Sequence, residues 1–156
     1  MRFLIFFIAA LFLVSFILLA GLAWSEGPLG KESIAQLGIA AHGGQVHTVN
    51  VYLALTPEEQ DLGLMYQRSM GNCNGDGNCY GMLFVFPNYS DQCFWMKNTV
   101  MPLKQIWITG NSITSEVNAS PYSTAAYCHY GNSVLEAYPN SSLQIGDEVT
   151  LEKVFR

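Results

Sequence analysis

The densest chemistry in this sequence sits in the run Trp95-Met96-Lys97-Asn98-Thr99. It offers an indole face, an ammonium group and a carboxamide close together. On a strand, Trp95 and Lys97 point to one face while Phe94, Met96 and Asn98 point to the other. A cation beside an indole, with an amide at the strand end, makes a rim that can stack a ring and hydrogen-bond it. Arg68 would add a second cation, and the group would then suit a sugar-like or a small anionic ligand. The plainer reading places Trp95 in the core, leaves Lys97 solvated and gives Asn98 a turn.

Glu136 stands between Leu135 and Ala137. A carboxylate inside an apolar run either faces solvent or is buried against a cation such as Arg68 or Lys97, and the solvated face is the expectation. A catalytic acid there would need a raised pKa and a second carboxylate, for which Asp147 is the obvious partner. His42, His47 and His129 are scattered, with no His-x-x-x-His pair. Met65, Met70, Met82, Met96 and Met101 are soft enough for Cu(I), but methionine is more often core filling. A nucleophile built from Cys128 and His129 fails because adjacent strand residues face opposite ways. No Gly-x-Ser-x-Gly and no phosphate-cradling loop is present. No metal and no cofactor is expected.

These side chains need rigid elements behind them. From Val46 the pattern is that of a strand, with Val49, Val51, Leu53 and Leu55 on one face. Thr56-Pro57-Glu58-Glu59 then forms a capping box with proline at the first helical position, predicting two turns of helix that stop near Gly63. Leu62 and Met65 are expected to turn inward. Further strands are predicted at 82–86, 92–97, 104–109, 113–118, 134–138 and 148–155, with Gly110-Asn111 as a hairpin turn. Prolines 87, 102, 121 and 139 fall between these runs, where a missing N–H costs no ladder bond. About seven short strands and one helix predict a mainly β fold, a small β-sandwich or partly open barrel.

The chain begins with an apolar run over residues 3–24, free of charge, long enough to cross a hydrocarbon core of about 30 Å. Residues 1–24 therefore read as a transmembrane signal-anchor. The alternative is a signal peptide cleaved after Ala23, which would leave the rest secreted. Residues 25–45, rich in glycine, read as a tether in which 33–41 forms a short helix or nothing. Either way residues 46–156 form the domain, on the extracytoplasmic face of the membrane that residues 3–24 enter. The net charge is −5, which argues against a nucleic-acid partner. Cys73, Cys79, Cys93 and Cys128 are even in number in a small exported domain, which favours disulfides. Cys73 and Cys79 flank a flexible Asn/Gly/Asp loop, which leaves Cys93 with Cys128. A four-cysteine zinc site would need closer paired spacing. Asn88, Asn118 and Asn140 begin glycosylation sequons, which would mark surface loops if used.

Several segments, in order, resemble the domain-of-unknown-function 192 family (DUF 192). They are Thr56-Pro57-Glu58-Glu59 with Gly63-Leu64-Met65 and Arg68, then Gly81-Met82-Leu83-Phe84-Val85-Phe86-Pro87. Phe94-Trp95-Met96-Lys97-Asn98-Thr99 follows, with Pro102-Leu103 and Ile108, and last Val134-Leu135-Glu136 and Ile145-Gly146-Asp147. The resemblance implies a small, mostly exported or membrane-anchored β domain and gives weight to the binding rim, but implies no reaction. One departure is Lys104, where the family usually has an acidic residue. The Cys73–Cys79 loop is another, resembling an insertion. The combined reading is a membrane-anchored binding module for a glycan or small anionic ligand, its rim formed by Arg68, Trp95, Lys97, Asn98 and Glu136. The alternatives are a hydrolase using Glu136 and Asp147, or an accessory subunit of an envelope complex.

Overall fold

The computed structural model describes residues 33–41, 44, 46–73 and 79–155. The apolar run 3–24, the cleavage point after Ala23, His42 and the loop 74–78 lie outside the described residues. Among the described residues, no helix is long and apolar enough to cross a membrane.

Among the described residues seven strands and one helix follow one another: β1 (Ile34–Ala40), β2 (Val46–Ala54), α1 (Pro57–Leu62), β3 (Gly81–Phe94), β4 (Leu103–Thr109), β5 (Ser112–Ala119), β6 (Tyr127–Ala137) and β7 (Glu148–Phe155). The fold is mainly β, and of the two expected architectures it is the barrel. The strands close in the order β1-β2-β3-β6-β4-β5-β7. Closure is narrow, since β5 meets β7 at the single register pair Ser112↔Glu148. Val149 N–H donates to the Asn111 carbonyl at 2.7 Å and Ile113 N–H to the Asp147 carbonyl at 2.9 Å beside that pair.

Period-2 alternation fills the barrel. Leu37, Ile39, Leu53, Ile106, Ile108 and Leu135 all belong to its buried interior. Full burial of each such side chain contributes roughly 1.5–3 kcal/mol. The same alternation corrects the tether. Residues 33–41 are neither helix nor irregular, because Ala35, Leu37 and Ile39 alternate and are completely buried as the inner face of β1. β1 pairs along its whole length with β2 and with β7. The domain therefore starts at β1 and not at Val46, and any tether ends before it.

Two expected strands, 82–86 and 92–97, are one. β3 runs unbroken to Phe94 through a register shift between Val85 and Ser90, and exposed Pro87 sits in that shift, where no ladder bond needs its N–H. Because β3 ends at Phe94, Trp95 and Lys97 lie beyond the strand. The hairpin at Gly110-Asn111 joins Thr109 to Ser112, with Gly110 at φ 64.

The capping box forms as its residue types demand. Thr56 Oγ1 accepts from Glu59 N–H at 3.2 Å, and Glu59 Oε2 accepts from Thr56 N–H at 2.9 Å and Leu55 N–H at 2.7 Å. The backbone N–H groups of Thr56 and then Leu55 hold the Glu59 carboxyl below its ordinary value. The helix stops at Gly63, as expected. Leu62 and Met65 are only half-buried, and Leu64 is the side chain that goes inside.

β2 and β3 are parallel neighbours. Parallel strands cannot be joined by a tight turn, so residues 55–80 form a long crossover that carries α1 over the outside of the barrel. Gln60 Nε2 ties it down by donating to the Val85 carbonyl at 2.9 Å. Met70 N–H donates to the Tyr138 hydroxyl at 2.9 Å.

Candidate functional site

Strand register sets two rows of side chains on the outer face. Tyr52, Met82, Glu136 and Gln105 lie side by side across β2, β3, β6 and β4, and Ala54, Phe84, Val134 and Trp107 form the next row. Uncovered, these rows would face water. The crossover covers one side of them and the segment after β3 covers another. That segment is pinned where Met96 N–H donates to the Ser123 carbonyl at 2.9 Å and Tyr66 N–H to the Asn98 carbonyl at 2.8 Å.

Between these covers lies a cleft of about 420 Å³. Phe84, Phe86, Phe94 and Trp95 form an aromatic wall. Leu62, Leu64 and Met65 come from the crossover, and Gln60, Asp61, Gln92, Thr99 and Glu136 supply polar groups. Phe94 is central to the wall, packing edge-on to Phe84 at 4.8 Å, Phe86 at 6.3 Å and Trp107 at 6.2 Å. Trp107 is locked in turn by His129 at 4.6 Å and by its Nε1–H donating to the Gln92 carbonyl at 2.8 Å.

Glu136 is 4% exposed. Its expected place on a solvated face is wrong because the outer face of β6 is roofed by non-neighbouring chain. Its hydrogen-bond partner is also not a cation: Oε1 accepts from Gln105 Nε2 at 3.1 Å. Burial pushes its pKa up to about 7, with the Gln105 bond acting the other way. Among the described residues no hydrogen bond to Oε2 is found, and the residue lines the cleft. Gln105 is fully buried, with Nε2 also 3.6 Å from Met96 Sδ and Oε1 left without a hydrogen bond. As oriented, its amide donates to an ionised acid. A half-turn would let Oε1 accept the proton of a neutral one.

This acid makes stability depend on pH. Between its ordinary value of 4.5 and about 7, the folded chain holds a proton that the unfolded chain releases. The contribution is therefore most favourable at low pH and is lost as pH rises through about 7, on the order of 3 kcal/mol in all. Glu136→Gln is expected to flatten the change in melting temperature between about pH 5 and about pH 8. A profile unchanged by the substitution would show that Glu136 does not titrate in this window.

Trp95 is 45% exposed, so it is not core but forms the cleft's rim. Lys97 Nζ lies 5.0 Å from the Trp95 ring centroid, though both belong to the turn after β3. Lys97 and Arg68 are exposed, and neither lines the cleft. Asn98 takes φ 60 as a turn residue, and its Nδ2 donates to Met65 Sδ at 3.8 Å. Asp147 is buried in the turn before β7, with Oδ2 accepting from Gln144 N–H at 3.0 Å, and it does not join Glu136 in the cleft. Lys104 points the opposite way from Gln105. Its Nζ donates to the Leu143 carbonyl at 2.6 Å and pairs with Glu116 at 3.0 Å.

Cys93 pairs with Cys128 across β3 and β6, beside the cleft, and Cys73 with Cys79 in the crossover. Among the described residues no group of His, Cys, Asp and Glu is placed to hold a metal. Sequence reasoning missed Gln105, Asp61 and the phenylalanine wall. Alternation alone put Gln105 and Trp107 on one face of β4, and that was the available signal.

The family model DUF192, Uncharacterized ACR, matches residues 38–151. Among solved structures, a Sinorhizobium meliloti 1021 protein described as a proposed transcription regulator is 28% identical. It has a TM-score of 0.69, over 78% of this chain and 95% of that one. A protein of unknown function from Novosphingobium aromaticivorans DSM 12444 is 27% identical, with a TM-score of 0.68 over 81% of this chain and 91% of that one. No curated protein matches the chain.

Proposed function

The chain belongs to the DUF192 family, and we propose that it acts as an extracytoplasmic, membrane-tethered module that binds a small ligand, a glycan being one fitting class. The observation that carries this reading is the aromatic-walled cleft with a buried acid at its floor. A concavity with apolar and aromatic walls and fixed polar groups is the usual form of a small-molecule site. Trp95 at the mouth gives a stacking face, and Gln60, Gln92 and Thr99 give hydrogen bonds.

Two disulfides fit an oxidising compartment, and the apolar run 3–24 fits a tether. Among the described residues the cleft is lined by two carboxyl groups and by no Lys, Arg or His, which disfavours a small anionic ligand. The regulator description belongs to the Sinorhizobium relative; a net charge of −5 here favours no DNA partner. Hydrolysis by Glu136 with Asp147 is disfavoured because the two do not share the cleft.

The test is a panel of glycans and small metabolites offered to the full chain in detergent, read by thermal shift and calorimetry. At least one ligand is expected to bind without turnover. Trp95→Ala should weaken it about tenfold, the size of one lost contact of ~1.4 kcal/mol. Turnover that disappears in Glu136→Gln would replace this reading with the hydrolase. Binding indifferent to Trp95 would place the site elsewhere.

A further inference from the structure

We infer that the ligand's buried end is an organic ammonium group, held between the aromatic wall and the Glu136 carboxylate. This deepens the binding reading and rests on it.

The cleft's charged side chains are Asp61 at the mouth and Glu136 at the floor, and among the described residues no cation lines it. Phe84, Phe86, Phe94 and Trp95 line the same space. Ring faces attract cations and repel anions. An anion here would meet two carboxyls and no donor of positive charge. A neutral ring would stack but would leave the acid unmatched.

Glu136 is almost wholly buried and lines the cleft, and among the described residues no hydrogen bond to its Oε2 is found beside the Oε1 bond from Gln105. A buried carboxylate with one oxygen left unmatched is unfavourable unless something pairs with it. An ammonium group at Oε2 supplies that pairing.

Met82 from β3 is this acid's register neighbour, Gln105 from β4 bonds it, Met96 lies against Gln105, and Asp61 from the crossover and Thr99 from the turn after β3 line the same cleft. Of these only Asp61 is charged, and its charge is negative. A neighbouring cation favours the ionised carboxyl. With the free acid poised near neutrality, ammonium binding moves the Glu136 proton to solvent. Affinity should therefore rise with pH up to about 7 and then level off.

Choline and its neutral carbon isostere, the dimethylbutanol in which carbon replaces nitrogen, separate charge from shape. Choline cannot lose a proton, so any proton released comes from the protein. The expected result with the full chain in detergent is choline binding at least tenfold tighter than the isostere at about pH 8. Near pH 7, calorimetry in two buffers of different ionisation enthalpy should show net proton release. Glu136→Gln should remove both the preference and the release. The proton measurement on the unaltered chain keeps the test valid if that variant folds poorly. Equal binding of the two compounds, or choline binding without proton release, overturns the ammonium inference. If a neutral glycan then binds in its place, the binding reading stands alone. If nothing in either panel binds, both fall.

Discussion

Adding one methyl group at Gly81 is expected to destabilise the fold severely. Gly81 opens β3 with parallel β2 on one side and antiparallel β6 on the other. A Cβ there would strike the carbonyl oxygen and carbon of Glu136 and the Cα of Ala137. All three are backbone atoms, so no side-chain rotation relieves the clash. The strands would have to part at the pair that fixes β3 against β6. The cost should exceed about 4 kcal/mol, a large share of the 5–15 kcal/mol that stabilises a typical domain. Gly44 is the control, since a Cβ there meets nothing and only its left-handed φ of 81 resists. Gly44→Ala should cost about 1–2 kcal/mol. The comparison is made by soluble yield and urea melts. A Gly81→Ala protein melting within about 1 kcal/mol of the parent would show that the strands can separate there cheaply.

Trp107→Ala carries the second large effect. The indole is fully buried, packed edge-on to Phe94 and His129, and its N–H satisfies the Gln92 carbonyl. Truncation removes that area, leaves a cavity and orphans a carbonyl, for a loss of about 3–5 kcal/mol. A melting temperature lower by about 10–20 °C is expected for a domain of this size. Trp107→Phe keeps most of the volume and loses the hydrogen bond, so about 1–2 kcal/mol should separate it from the parent. Cleft function should weaken in the alanine variant as well, because Phe94 loses the ring behind it. A drop below about 1 kcal/mol for Trp107→Ala would mean the outer face repacks freely, contrary to the locked arrangement described above.

The elements legible in the sequence were those whose causes are local. Thr56 and Glu59 make their reciprocal bonds within four residues, and Gly110-Asn111 turns between strands that adjoin in sequence. β1 was missed although Ala35, Leu37 and Ile39 carry the period-2 pattern. Gly38 and the nearby glycines masked it, and only β2 and β7, distant in sequence, make the pattern meaningful. β3 was split because Pro87 reads as a break until the bulge opposite β6 is seen. The site was less legible for the same reason. Lys97 lies against Trp95, but in the turn after β3 and not on the strand expected, and their distance from Glu136 in sequence hides that only the tryptophan reaches the cleft. A carboxylate between Leu135 and Ala137 faces away from the barrel interior, and outward ordinarily means wet. The cleft in which Glu136 is buried is walled by residues 60–65 and by Phe94, Trp95 and Thr99, which no local pattern announces.

The parallel pairing of β2 with β3 has a consequence for how such a barrel can diversify. Because those neighbours cannot be joined tightly, the intervening chain must be long, and its route makes it one wall of the cleft. Residues gained or lost there alter what the cleft admits while every rung of the ladder keeps its partner. The cysteine-closed loop between Cys73 and Cys79 occupies that segment. On the proposed binding function, trimming or extending this single connector would be a route to changing selectivity with the framework left in place.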